Sequence, residues 1–167
     1  MKMKKNGFFL KTGYQNGLVG WLTQMHGQNY QDKWNLGQFF ECQVARGVCD
    51  FIDSYQPLNS QIWSLQKYGQ IYGSVTLDGS RAEKEGAQLR WFILDSTVRG
   101  QGFGRLLLQT AIQFARDRSY KSIYLHTLAG LEPAATLYQA CGFVEEHREI
   151  NDEWGKGLEV VTYRLRF

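Results

Sequence analysis

One short run, Arg99-Gly100-Gln101-Gly102-Phe103-Gly104, restricts what this chain can become more than any other part of it. Ahead of it, Gln88-Leu89-Arg90-Trp91-Phe92-Ile93-Leu94 is apolar, aromatic and β-branched enough to form a strand. Behind it, Phe103, Leu106, Leu107, Ala111, Phe114 and Ala115 recur at helical spacing, with Arg105, Gln109, Gln113 and Arg116 on the opposite stripe. A Gly-rich turn therefore joins a strand to the first turn of a helix. Amide groups at such an N-terminus lack partners and the helix dipole is positive there, so an anion can dock. Three glycines let the main chain come close to that anion, and Arg99 and Arg105 flank the turn with charge. A plain tight turn with incidental arginines would use the same residues.

Spacing excludes two common phosphate loops. The dinucleotide fingerprint needs a third glycine at 105, where Arg105 stands, and no Gly-Lys-Ser/Thr closes a nucleoside-triphosphate loop. The pattern present is Arg-x-x-Gly-x-Gly, with Arg99, Gly102 and Gly104. Downstream come a second strand, Ser122-Ile123-Tyr124-Leu125-His126-Thr127, and Ala134-Ala135-Thr136-Leu137-Tyr138-Gln139-Ala140-Cys141-Gly142-Phe143. Loop and Tyr-bearing helix together resemble the GNAT superfamily of acyl-CoA N-acyltransferases, closely over residues 60–167 and more loosely before. The resemblance implies an α/β (α+β) fold, a mixed and mostly antiparallel sheet of about seven strands with flanking helices.

The 167 residues suit a single domain, 1–167, with enough chain for a core. A net charge of +3 is too small to argue for nucleic acid. The basic start, Met1-Lys2-Met3-Lys4-Lys5, precedes no apolar segment long enough for a signal peptide or membrane span. Three cysteines without Cys-x-x-Cys, and only His26, His126 and His147, argue against a zinc site. A reduced, cytoplasmic protein without metal is expected.

Along the chain, Phe8–Lys11 reads as a first strand, and Leu18, Val19, Leu22 and Met25 form a weak helical pattern broken by glycines. A clearer helix spans 36–53, with Phe39, Phe40, Val44, Val48 and Phe51 as its expected buried stripe. Strands at 62–66 and 71–77 suggest an antiparallel hairpin, and two more near 143–150 and 158–167 end the chain.

The resemblance also assigns roles. It places the pantetheine arm of acetyl-CoA between the strand before the loop and the strand at 122–127, which splay apart. Main-chain groups of Phe92, Ile93 and Leu94 would pair with the arm, Leu94 also polarising the thioester carbonyl. Arg99, Gly100, Gln101, Gly102, Gly104 and Arg105 would hold the pyrophosphate. One position departs from the family pattern: Leu131 stands where an Asn is common, seven residues before Tyr138. Transfer needs a neutral amine and a protonated leaving thiolate, and Tyr138 sits where the family places that acid. The base is open, because the strand from Gln88 to Leu94 carries no carboxylate. Candidates are His126, Glu132 or a water chain to a more distant group. His26, Tyr30 and Trp154 are candidates for the acceptor side, as aromatic and polar groups that suit a small amine better than a peptide.

The expectation is thus a cytoplasmic, acetyl-CoA-dependent N-acetyltransferase acting on a primary amine by direct transfer in a ternary complex, as monomer or homodimer. The alternative is a sensor that binds acyl-CoA without turnover. The chain also resembles acetyltransferase domains fused behind MarR-type winged-helix regulators. It lacks that DNA-binding half, so no nucleic-acid partner is expected, and the absence of a long apolar segment argues against a membrane partner.

Overall fold

Periodicity-two segments of apolar and aromatic residues need partners for their backbone groups, and here they find them in one sheet. The computed structural model of the chain describes residues 4–167; Met1–Met3 of the basic start and the side chains of Lys4 and Lys5 lie outside that description. The strands are β1 (Lys4–Lys5), β2 (Phe8–Thr12), β3 (Gln61–Lys67), β4 (Gln70–Asp78), β5 (Ala87–Leu94), β6 (Ser122–Leu128), β7 (Val144–Asn151) and β8 (Leu158–Arg166). The helices are α1 (Leu18–Trp34), α2 (Gln38–Asp53), α3 (Phe103–Asp117) and α4 (Glu132–Ala140). The two-residue β1 adds an eighth strand to the seven expected.

Strand order is β1-β2-β3-β4-β5-β6-β8-β7, antiparallel everywhere except between β5 and β6. That parallel pair needs a crossover, and α3 supplies it. The β3–β4 hairpin turns on Tyr68 and Gly69, both at positive φ (50° and 79°), which matches the strand twist. Neighbouring strand residues point to opposite faces, so Ile62 joins a core with α1 and α2, while Trp63 joins one with α3.

α1 is only weakly amphipathic in composition, because its single buried face includes an imidazole and its exposed face includes Gly20. Leu18, Leu22, Met25 and His26 are all buried, and packing against α2 holds a helix that Gly20 and Gly27 would otherwise weaken. In α2 the buried stripe is Phe40, Val44, Val48 and Phe51. Phe39, expected in that stripe, is instead 56% exposed. It sits one residue, roughly 100°, around the helix from Phe40, outside the 40–44–48–51 ridge.

β5 and β6 decide where a ligand can enter. They pair only at Ala87–Ile123 and Gln88–Tyr124, then part. A bulge on β5 accompanies the parting: the register with β4 shifts between Ser74 and Thr76, and Trp91 adopts φ +46°. Such a backbone is rare for a bulky residue and persists only where its surroundings hold it. Here Arg90 lies 4.1 Å over the Trp91 ring, and Phe51 meets that ring edge-on at 5.7 Å.

Candidate active site

Beyond β5 the chain makes one 3₁₀ turn, Ser96–Val98, capped by Asp95, whose carboxylate accepts from the Thr97 amide at 2.9 Å. The Gln101 side chain donates back to the Thr97 carbonyl, also at 2.9 Å. Gly100 and Gly102 follow at φ +73° and +84°, and Gly102 is the N-cap of α3. Because that cap has no side chain, it offers no acceptor to the first amides of α3. Arg105 stands exposed in the same first turn. Loop, uncapped amides and cation are therefore assembled as an anion site requires.

Two members of the motif do other work. Gly104 is buried; a Cβ there would lie 3.1 Å from Leu137 and 3.3 Å from Leu94, so this glycine lets α3 pack against α4 and β5. Arg99 donates Nε and Nη2 to the Leu94 carbonyl at 3.0 and 2.9 Å, and Nη2 also to Asn29 of α1. Its guanidinium thereby ties the loop to α1. The Leu94 carbonyl is likewise engaged, leaving main-chain contacts at this end of β5 to amide groups.

The gap between β5 and β6 widens into a cleft of about 380 Å³. His26 and Tyr30 of α1, Phe92 of β5, His126 of β6, Tyr138 of α4 and Trp154 of the β7–β8 connection all line it. Ile93 is buried beneath, in the core with α1 and α2. Glu132 is not brought in: it is exposed in the first turn of α4 and lines no part of the cleft. Leu131, half-buried, is the N-cap of α4.

Tyr138 is buried between Phe92 and Tyr163, with ring centroids at 6.1 and 5.8 Å. Its hydroxyl makes no hydrogen bond to the protein. Burial drives its pKa far above the usual phenol value, and neighbouring Tyr30 and Tyr163 add to this. The hydroxyl is thus a proton donor at every physiological pH. His126 bonds through Nδ1 to Thr162 Oγ1 at 2.9 Å. Desolvation lowers its pKa, opposed by Glu153 and Glu149. His26, which might have been a helix-surface residue, is buried, and its Nδ1 lies 2.8 Å from the Leu22 carbonyl. Cys141 is half-buried beside Tyr138, and burial pushes its thiol pKa up, the opposite of an activated nucleophile. Among the described residues no group of three or more metal-ligating side chains is assembled.

Sequence reasoning missed the polar rim that α2 contributes: Gln43, Arg46 and Asp50 line the cleft, as does Arg90 of β5, paired with Asp78 at 3.2 Å. The signal was Gly47. A Cβ there would lie 3.3 Å from Trp91 and 3.4 Å from Arg90, so only a small residue lets α2 close over β5.

The family model described as "Acetyltransferase (GNAT) family" matches residues 19–143. The chain belongs to the GNAT acetyltransferase family. Mouse N-acetyltransferase 8F1 is 39% identical over 72% of this chain and 56% of its own length, and mouse N-acetyltransferase 8B is 38% identical over 72% and 53%. This GNAT chain spans about half the length of the curated relatives it matches. Among solved structures, YncA of Salmonella typhimurium, described as a putative acetyltransferase with its cofactor acetyl-CoA, superposes with a TM-score of 0.74 at 13% identity, covering 96% of this chain and 94% of that one. An acetyltransferase from Streptococcus agalactiae gives 0.72 at 20%, covering 95% and 98%. At these identities the shared property is the fold. No helix among the described residues is long and apolar enough to cross a membrane.

Burial of the imidazole makes this GNAT domain sensitive to acid. Desolvation lowers the His26 pKa to about 4, against an opposing hydrogen bond to Leu22. In the unfolded chain the group titrates near 6.5. Between those values the unfolded state binds the extra proton, so stability falls as pH falls. The expected loss between pH 7 and 5 is about 2 kcal/mol. Urea unfolding of the wild type and His26→Asn at both pH values checks this; the variant should lose distinctly less. Equal losses would show that His26 protonates freely in the folded protein.

Proposed function

We propose that residues 1–167 act as one acetyltransferase domain that moves an acetyl group from acetyl-CoA to a small primary amine, by direct attack in a ternary complex. The observation that carries this reading is the position of Tyr138. Its neutral hydroxyl has no partner in the protein, and the side chain lines the cleft where β5 and β6 part. The pyrophosphate of acetyl-CoA would rest on the Gly100–Gly104 turn, with Arg105 adding charge. The pantetheine arm would lie along the free edges of β5 and β6, pairing with main-chain groups of Phe92 and Leu94, whereas Ile93 sits opposite Ser74 and turns its amide toward β4.

Attack of the amine nitrogen forms a C–N bond and expels the thiolate. Tyr138 then gives its proton to sulfur, and solvent restores it. The desolvation that raises Tyr138 also raises the pKa of the leaving thiol, so donor and acceptor stay matched. Tyr30, Trp154 and the α2 rim enclose the acceptor end, where a mixed aromatic and charged wall suits a compact amine. A zebrafish relative named N-acetylaspartate synthetase, 29% identical over 71% of this chain, fits an acceptor of that size.

The test is calorimetric titration with acetyl-CoA, then continuous thiol release with L-aspartate, spermidine, phenethylamine and an alanine-terminated peptide. Binding and turnover of at least one small amine are expected. Tight acetyl-CoA binding with no turnover of any acceptor would make the domain a sensor instead, and absent binding would remove the reading altogether.

A further inference from the structure

Two groups are needed to complete acetyl transfer, and Tyr138 supplies only one. Something must hold the amine and take its proton as the C–N bond forms. β5 offers no carboxylate, and Glu132 lies outside the cleft. His126 reaches the cleft but is exposed and also borders a second, open depression, so water competes for it.

His26 is placed differently. It is 6% exposed, on the third turn of α1 in the cleft wall. Its Nδ1 lies 2.8 Å from the Leu22 carbonyl. A carbonyl oxygen can only accept, so Nδ1 must carry the proton, and in the neutral ring Nε2 then holds the lone pair. Nε2 makes no hydrogen bond to the protein. It is not sealed away either, because the only sealed side-chain polar atom without a partner among the described residues is Thr76 Oγ1. The ring lines the cleft and stacks on Tyr30, 5.9 Å away and 6° from parallel, which fixes its plane. Tyr30 in turn is close enough to Tyr138 to act on its titration. A fixed acceptor and a fixed donor therefore face the same cavity.

We infer that His26 is a catalytic residue: its Nε2 accepts the hydrogen bond of the incoming amine, points the nitrogen lone pair at the thioester, and takes the N–H proton as the bond forms. The inference rests on the acetyltransferase reading above. The imidazole does not deprotonate a free alkylammonium, whose pKa is about 10. It binds the neutral amine, whose N–H becomes acidic only as nitrogen gains positive character on attack. In the balanced step C–N forms and C–S breaks. The amine proton moves to Nε2, the Tyr138 proton moves to sulfur, and the imidazolium returns its proton to water through the cleft. Since the desolvated ring disfavours charge, that return is fast and the base is reset.

Two substitutions separate the ring's halves. In His26→Asn the side-chain amide can still donate to the Leu22 carbonyl, keeping α1 intact, but nothing remains at the Nε2 position. In His26→Gln the longer side chain puts an amide oxygen near Nε2. With the best small amine among L-aspartate, spermidine and phenethylamine, kcat/KM should fall on the order of 10²-fold in His26→Asn, and less in His26→Gln. Acetyl-CoA affinity by calorimetry should be unchanged in both. A His26→Asn variant with full kcat/KM overturns the assignment.

A second measurement needs no variant. Two-bond nitrogen–proton spectra of imidazole-labelled wild type at pH 7 should show His26 as the Nδ1–H tautomer. Its Nε2 resonance should shift when phenethylamine is added to the CoA complex. An Nε2–H tautomer, an imidazolium, or an Nε2 resonance indifferent to the amine overturns the inference, whether or not any probe turns over. Failure of acetyl-CoA to bind the wild type would instead count against the acetyltransferase reading and is read separately.

Discussion

Tyr138→Phe should lower kcat by about 10²–10⁴-fold with acetyl-CoA affinity and melting temperature nearly unchanged. The variant keeps the ring that packs between Phe92, Phe143 and Tyr163 and removes one oxygen. That hydroxyl has no protein partner, so its loss breaks no hydrogen bond and leaves no orphaned group. The change therefore reads chemistry rather than folding. Thiol release under saturating acetyl-CoA, beside a thermal melt, checks it. Wild-type turnover in the variant would return Tyr138 to the core as an aromatic spacer.

Gly102→Val should weaken acetyl-CoA binding by tenfold or more while the fold persists. Gly102 holds φ +84° at the N-cap of α3, and a β-branched residue there is a steric outlier costing about 1–3 kcal/mol. The loop can escape that strain only by leaving the conformation in which the first amides of α3 converge. The site is solvent-exposed, so the rearrangement need not reach the core. Arg99→Ala is the instructive contrast. Its guanidinium joins the Leu94 carbonyl to Asn29, so its loss should loosen α1 and cost stability more than affinity. Calorimetry on both variants with their denaturation midpoints tests the pair. Unchanged affinity in Gly102→Val would place the pyrophosphate elsewhere.

The acceptor end follows a different logic from the cofactor end. In the proposed reading, main-chain amides and a helix N-terminus would recognise acetyl-CoA without reference to the amine. Selection of the amine would then fall to the side chains from α1, α2 and the β7–β8 connection that line the cleft. The β3–β6 scaffold can therefore stay fixed while those three elements change the acceptor.

Local chemistry made much of this legible in the chain itself. The strand–turn–helix at 88–117 follows from β-branched and aromatic residues, then glycines, then a 3.6-residue stripe, each acting over a few residues. The α4 motif around Tyr138 and the two-residue Tyr68–Gly69 hairpin are local in the same sense. What tertiary structure alone decided involves residues far apart in sequence. Phe39 and Phe40 are equally apolar neighbours, and packing chose Phe40 for the buried ridge of α2; His26 shares the face of Leu18, Leu22 and Met25, but only the tertiary contacts bury so polar a ring there. Gly104 and Gly102 look alike in the motif. One is small because Leu137, thirty-three positions on, lies against it, the other because its φ is positive. Arg99, expected at the pyrophosphate, also spends Nε and Nη2 on the Leu94 carbonyl and on Asn29, seventy positions away. The bulge at Trp91, the parting of β5 from β6 and the closure of α2 over Gly47 are all consequences of packing between elements, and that packing turns an ordinary sheet into a cleft.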